Sequence, residues 1–322
     1  MAKKKLKIGV LFGGKSAEHE VSINSAKNII KALDKKKYQV FPIKIKKTGQ
    51  FNFSSVKKVD VIFPVLHGPF GEDGSIQGLL KLSEVPFVGA GVLGSAVGMD
   101  KDVMKRLLRE AGIPIGKFIT LRDFQQTDFG IIKRKLGLPL FIKPANMGSS
   151  VGVSKVRNEE EFIKAIKEAF KFDTKIIIEE FIDGREVECA VLGNDTPLAS
   201  IPGEIIANQE FYSYNAKYID EGYVVEIPAK IPKNISEKVQ ELAIKTFQTL
   251  NCEGLGRVDS FVKKNGEIFV NEINTIPGFT DISMYPKLWD ASGIKQSKLL
   301  DRLIELAVER FEKEQKLKTT VS

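Results

Sequence analysis

Residues 255–263 and 267–273 alternate apolar and polar side chains around Asn265-Gly266. Both positions of that dipeptide favour positive φ, so it predicts a two-residue hairpin loop. In that register Lys264 pairs with Glu267, which sets Asp259 opposite Glu272 and Arg257 opposite Asn274 on one face. Carboxylates directly opposite one another destabilise a sheet unless a cation lies between them. Asp259, Glu272 and Asn274 offer only oxygen ligands, and such a set suits magnesium. A solvated hairpin face with ordinary charges is the bland alternative, and the commoner one for an arbitrary hairpin. Arg257 beside the set, and the loop TIPGF at 275–279 directly after it, tip the reading toward a metal site.

Two glycine-rich loops compete for the role of phosphate cradle. GVLFGGKS at 9–16 formally matches the P-loop pattern, but Val10, Leu11 and Phe12 continue an apolar strand where the phosphate-wrapping turn should be. The match is therefore read as accidental, and the absence of GxGxxG disfavours a dinucleotide fold of that type. PANMGSSVG at 144–152 is the better cradle. Gly148 and Gly152 permit close backbone approach, Ser149 and Ser150 add donors, and Lys143 precedes the loop. A flexible hairpin tip is the ordinary reading of such a loop standing alone.

The elements that must hold these groups fall into three units. In the first, 1–98, apolar runs at 6–12 and 59–66 read as strands ending at glycine or His-Gly, with one amphipathic helix at 20–33 between them and another beginning at Ile76. In the second, 99–184, Asp100 caps a helix at 101–111, and strands at 139–143 and 151–156 flank the cradle. A helix at 159–170 and a strand at 175–182 follow. The third, 185–322, holds further strands, a polar-aromatic loop at 209–222, a helix at 236–250, the hairpin, and a last helix ending near Glu314. The fold class is α/β followed by α+β.

With 322 residues, 43% of them hydrophobic, the chain can bury cores for two or three domains. No apolar run approaches the roughly 20 residues of a membrane span, and residues 8–12 are too few for a signal peptide, so the cytoplasm is expected. The net charge of +8 comes from lysines spread along the chain, without a basic segment interleaved with aromatics. That charge fits attraction of an anionic small substrate better than nucleic acid. Cys189 and Cys252 form no metal-binding motif and are expected as buried reduced thiols.

Taken in order, GGKSAEHEVS at 13–22, HGPFGEDG at 67–74, MDK at 99–101 and KPANMGSSVGV at 143–153 resemble the D-alanine:D-alanine ligases. REVECAVLG from Arg185, YNAKY at 214–218, GRVD at 256–259 and NEINTIPGFT at 271–280 complete the pattern, which spans nearly the whole chain. The resemblance implies an ATP-grasp fold, with an amino-terminal Rossmann-like α/β domain and two α+β domains enclosing ATP. It also implies a cytoplasmic homodimer that joins two D-alanines for peptidoglycan precursors, using ATP and two Mg2+ ions, with Mn2+ as a substitute.

Residue by residue, the resemblance places Lys101 and Lys143 at the ATP phosphates and Glu186 at the ribose. Glu179 belongs to the adenine region through the strand and hinge to Ile182, and the loop with Gly148, Ser149 and Ser150 closes over the phosphates. Asp259, Glu272 and Asn274 become the magnesium ligands, with Arg257 beside the transferring phosphoryl group. Glu18 holds the first D-alanine's ammonium with His67 nearby, and Ser283 and Met284 receive the second substrate's carboxylate. Arg257 and the Gly278 N–H face the oxyanion. Ser149, Lys217 and Tyr218 link the loop at 209–222, read as a lid, to the site, with Lys217 near the γ-phosphate. Ester-forming relatives depart from tyrosine at the position of Tyr218, so peptide formation is expected. The alternatives are a ligase of the D-alanine:D-lactate or D-alanine:D-serine type, and, from other classes, a P-loop NTPase or switch using Gly14, Lys15 and Ser16, or a nucleotide-binding protein without turnover.

Overall fold

A computed structural model describes residues 4–124, 127–207, 223–318 and 320. The first sheet is parallel. β1 (Leu6–Gly13) lies between β2 (Tyr38–Ile45) and β3 (Val61–Val65), and α1 (His19–Ala32) crosses from β1 to β2. The sequence pattern predicts only a helix between the two outer runs, and β2 is a further element that it does not show. It is an edge strand whose alternation is interrupted by Pro42, so its pattern is weak even though it pairs along its full length. α2 (Ser75–Leu82) and α3 (Val92–Met99) follow.

α4 (Lys101–Glu110) begins at Asp100, whose carboxylate accepts from the Val103 N–H at 3.1 Å as expected of an N-cap. The second sheet is antiparallel in the order β4 (Phe118–Leu121), β7 (Ile176–Glu180), β5 (Leu140–Pro144), β6 (Ser154–Val156). α5 (Phe129–Leu136) and α6 (Glu159–Ala169) pack on it through Ile132, Phe162 and Ile166. β6 is three residues shorter than expected because Ser149, Ser150 and Gly152 take positive φ, which no strand accommodates.

The third sheet has six strands. Its path runs β11 (Tyr223–Glu226), β10 (Gly203–Ala207), β8 (Arg185–Gly193), β12 (Gly254–Val262), β13 (Ile268–Asn274), with β9 (Leu198–Ala199) on β8. Helix Lys233–Thr249 covers one face through Val239, Ala243 and Phe247. The last helix, Gln296–Gln315, instead ties the parallel sheet to the six-stranded one. Its Leu299, Leu303 and Ile304 share a buried cluster with Ile8, Val10 and Phe63 on one side and Ala190, Leu192 and Leu255 on the other. Each such side chain contributes about 1.5–3 kcal/mol by leaving water, so the walls of the intervening cavities are held firmly.

Arg310 from the same helix is buried, donates to the Phe87 carbonyl at 2.8 Å and lies 4.4 Å over the Phe87 ring. Cys189 and Cys252 are free and buried, and burial pushes both thiols up to about 12. They stay protonated and inert near neutral pH. Among the described residues no helix is long and apolar enough to cross a membrane.

Candidate active site

The hairpin reaches its expected pairing by an unexpected route. Lys263 and Glu267 close the turn: the Lys263 N–H donates to the Glu267 carbonyl at 2.9 Å, and the Gly266 N–H to the Lys263 carbonyl at 2.9 Å. Lys264 therefore sits inside a three-residue loop and does not pair with Glu267. Only Gly266 has positive φ, at 84°, while the Asn265 side chain accepts from the Glu267 N–H at 3.1 Å. That is a type I turn closed by a left-handed glycine, not the two-residue form.

The pairing is then one residue out of the predicted register, with Val262 opposite Ile268 and Ser260 opposite Val270. A bulge at Asn271 absorbs the difference. Beyond it Asp259 does face Glu272, and Arg257 does face Asn274. β8 pairs on the other side of β12 and sets Glu188 opposite Asp259. Directly opposed residues share a sheet face, so three carboxylates stand in a row across three strands.

Two cationic side chains balance this row. Arg257 forks onto Asp259 with two contacts of 2.7 Å and reaches Glu188 at 2.9 Å, and both carboxylates keep the guanidinium charged against its burial. Lys101 pairs with Glu272 at 3.3 Å and donates to the Met147 carbonyl at 2.8 Å. Asn274 donates to Asp259 at 2.9 Å.

Among the described residues no group of three or more His, Cys, Asp or Glu converges as a complete metal cage. Asp259, Glu272 and Asn274 supply two carboxylates and an amide oxygen. That partial set fits magnesium, which takes one or two carboxylates and completes its shell with water and substrate phosphates.

Two cavities meet at this row. The larger, about 430 Å³, lies between the four-stranded and six-stranded sheets and is lined by Lys101, Lys143, Ser150, the 179–182 segment and Glu186. The smaller, about 130 Å³, is lined by Glu18, His67, Arg257, Gly278, Ser283 and Met284. Glu272, Gly148 and Ser149 line both. Ser149 and Ser150 hold left-handed φ of 51° and 58°, a strained conformation for residues with a Cβ, at the loop that separates the two spaces. The Ser149 hydroxyl donates to Glu18, which pins that loop over the smaller cavity.

Details of each wall constrain what can bind. Lys143 pairs with Glu179 at 2.5 Å and Lys105 pairs with its other oxygen at 3.0 Å, so the Glu179 carboxylate is spent on two lysines while its backbone continues toward Ile182. His67 Nδ1 lies 3.0 Å from the Ile276 carbonyl. A carbonyl can only accept, so Nδ1 carries the proton. Burial lowers the imidazole's affinity for a second one, which makes Nε2 an acceptor; it is buried without a partner among the described residues.

Glu72 accepts from the Gly68 N–H at 2.8 Å and the Ile276 N–H at 3.1 Å. Burial, with the Glu18 charge adding to it, pushes Glu72 up to about 8. The smaller cavity thus combines two acceptors for an ammonium, the Glu18 carboxylate and His67 Nε2, with the Arg257 guanidinium. Ser283 spends its hydroxyl on Thr280, taking the Thr280 N–H at 2.9 Å, at the start of helix Met284–Ala291. A Cβ on Gly278 would come within 2.8 Å of that hydroxyl, so glycine lets the backbone close here.

The family model described as D-ala D-ala ligase C-terminus matches residues 107–305, and the corresponding N-terminus model matches 7–56 and 52–90. A curated D-alanine--D-alanine ligase from Oceanobacillus iheyensis is 49% identical, with 99% of each chain covered. The chain belongs to the D-alanine--D-alanine ligase family.

Two solved structures are similar throughout. The VanG D-Ala:D-Ser ligase of Enterococcus faecalis aligns with a TM-score of 0.86 at 38% identity, covering 94% of this chain and 100% of that one. The D-alanine--D-alanine ligase of Bacillus anthracis, complexed with ATP, aligns with a TM-score of 0.84 at 33% identity, covering 96% and 99%. The ATP-grasp fold expected for the family is the fold observed, with the larger cavity between its two antiparallel sheets.

As a family member the chain uses ATP. Within this ligase scaffold, Glu72, Lys105, Glu188 and Asn271 line the cavities and were not singled out from the sequence. Glu188 had a legible signal, since it lies two residues beyond Glu186 on the same strand and so on the same face. Lys105 had one too, four residues after Lys101 on α4. Lys217, Tyr218 and the lid segment fall outside the described residues.

Proposed function

We propose that this chain condenses two D-alanines into D-alanyl-D-alanine through a D-alanyl phosphate, for peptidoglycan precursor synthesis in the cytoplasm. The observation that carries the reading is the meeting of a nucleotide-sized cavity and a small amino-acid-sized one at Glu272, Gly148 and Ser149. A carboxylate is a poor acyl donor. Transfer of the γ-phosphoryl onto an oxygen of the first D-alanine releases ADP and activates the carbon, and catalysis is then mainly positioning and charge neutralisation.

In this reading Glu18 and the Nε2 lone pair of His67 take the first ammonium. Lys101 and Lys143 hold ATP phosphates, Lys217 neutralises the γ-phosphoryl, and Glu186 and the 180–182 backbone hold the nucleoside. Asp259, Glu272 and Asn274 hold two Mg2+ ions, for which Mn2+ substitutes; the metal supplies neutralisation of charge on the transferring phosphoryl group. Arg257 and the Gly278 N–H stabilise the oxyanion when the second amine, having lost a proton, attacks the acyl carbon and phosphate leaves. The N-terminus of helix Met284–Ala291, at Ser283 and Met284, receives the second carboxylate. The lid at 209–222 excludes water, and the unit boundaries fall near Gly98 and Gly184. The active form is a homodimer.

Phosphate release with ATP, Mg2+ and either D-alanine or L-alanine, with product analysis at neutral pH, tests this. D-alanine is expected to drive release and to yield the dipeptide; equal release with L-alanine, or D-alanyl-D-lactate as the main product from mixed acceptors, would overturn it. The likeness to a D-Ala:D-Ser ligase supports one second reading, and D-serine added as a competing acceptor distinguishes it.

A further inference from the structure

Lys101 is flanked in sequence by two carboxylates, Asp100 and Asp102, and both are met by the ammonium of one buried lysine, Lys175. Lys175 contacts Asp100 directly and lies 3.5 Å from Asp102. Its own carbonyl accepts from the Ala145 N–H at 2.9 Å, and the Ala145 carbonyl accepts from the Lys101 N–H at 3.0 Å. These contacts close a ring: Lys175 backbone to Ala145, Ala145 to Lys101, Lys101 through the chain to Asp100, and Asp100 back to the Lys175 side chain.

The ring is anchored on both sides. Asp173 accepts from the Asn146 N–H and Nδ2 at 2.7 and 3.0 Å, and Asp102 also takes the Thr120 hydroxyl at 2.7 Å. Ala145 and Asn146 begin the loop that runs to Gly152. Lys101 is the side chain that touches both that loop, at Met147, and the carboxylate of Glu272.

We propose that Lys175 is a positioning residue for nucleotide binding: it locks the start of α4 to the base of the 145–152 loop and so aims the Lys101 ammonium at the ATP phosphates. This rests on the reading of the larger cavity as the nucleotide site. Lys175 itself does not line either cavity.

The test is calorimetric binding of a magnesium complex of a non-hydrolysable ATP analogue to the full chain, together with steady-state kinetics. Losing a correctly aimed charge-assisted contact to phosphate weakens affinity about tenfold, so Lys175→Met is expected to raise the analogue's Kd and the KM for ATP about tenfold. The KM for D-alanine stays within about twofold, and Lys175→Arg recovers most of the loss. In a Lys101→Ala background, Lys175→Met adds little, since it acts through Lys101.

An unchanged Kd in folded Lys175→Met, or full additivity with Lys101→Ala, would refute the proposal. Should Lys175→Met not fold, Asp100→Asn takes its place: it preserves the helix cap but loses the ion pair, and an unchanged Kd would refute the proposal equally. Nucleotide affinity is read without D-alanine, so failure of the ligase reading would leave this result standing, and failure of this proposal would leave ligation intact.

Discussion

Glutamine at position 272 is expected to lower D-alanine-dependent phosphate release about 10³-fold, because metal-assisted charge stabilisation is worth several kcal/mol in the transition state. Glu272 is central to the geometry, standing at the junction of both cavities and opposite Asp259. The Glu272→Gln substitution is isosteric, and the Glu272 side chain is 26% exposed, so the fold loses little: Lys101 keeps the Met147 carbonyl when it loses the ion pair. A melting temperature near that of the parent with a collapsed rate is the expected combination. Lys15→Ala is the matched control. Lys15 belongs to the apparent P-loop, but β1 continues to Gly13 where that motif needs a turn, and the Lys15 ammonium lies 5.3 Å over the exposed Phe70 ring. Its removal leaves turnover within about twofold of the parent, as for surface substitutions generally. The opposite pattern, with Lys15→Ala inactive and Glu272→Gln active, would move the phosphate site to the first sheet.

The second large effect is at Arg257. Truncation to methionine confounds two outcomes, since it strands Asp259 and Glu188, both nearly buried, without their cation. Breaking a buried pair in this way costs about 3–5 kcal/mol, a large part of the stability of an ordinary domain. Arg257→Lys keeps a charge between the two carboxylates but cannot reproduce the fork that spans them and the smaller cavity. It is expected to lower kcat about 10²–10³-fold, the range for removing one donor to a developing oxyanion, with a modest change in thermal stability. Stopped-flow phosphate release beside thermal melting separates the two. A lysine variant with near-parent kcat would take Arg257 out of the chemistry.

The metal row was legible in the sequence, yet only because two departures cancel. The loop at Lys264, Asn265 and Gly266 is one residue longer than Asn-Gly predicts, which on its own would have put Glu272 on the wrong face of the sheet. The bulge at Asn271 inserts one residue on the same strand and restores the facing of Asp259 and Glu272. Nothing local marks a bulge in NEIN, whereas the polar alternation of Asp259, Glu272 and Asn274 does report which residues end on the site's face. The cap at Asp100 and the helix after it were readable because capping is a local interaction.

What remained hidden depends on pairing across the chain. β2 disappears into a mixed pattern because an edge strand next to Pro42 needs no clean alternation. The face of Glu188 was readable from Glu186, but its place beside Asp259 comes only from the β8–β12 register; Lys143 meets Glu179 through the β5–β7 pairing, and Lys105 meets it because α4 reaches the second sheet. Sequence spacing cannot report these contacts, since they link elements tens of residues apart. The resemblance supplied the roles of Glu18, His67 and Ser283; by residue type alone Glu18 is an ordinary first-turn acid and His67 a strand-end polar group. The two-cavity arrangement now gives those residues a common space.

If the carboxylate of the first D-alanine attacks the γ-phosphoryl group, one of its oxygens must leave with the phosphate once the second amine closes the peptide bond. Supplying D-alanine labelled with heavy oxygen in its carboxylate, and weighing the released phosphate by mass spectrometry, reads this directly. The account predicts one labelled oxygen in each phosphate released per dipeptide formed. Dipeptide accompanied by unlabelled phosphate would contradict it, because ATP would then be hydrolysed without ever activating the acid.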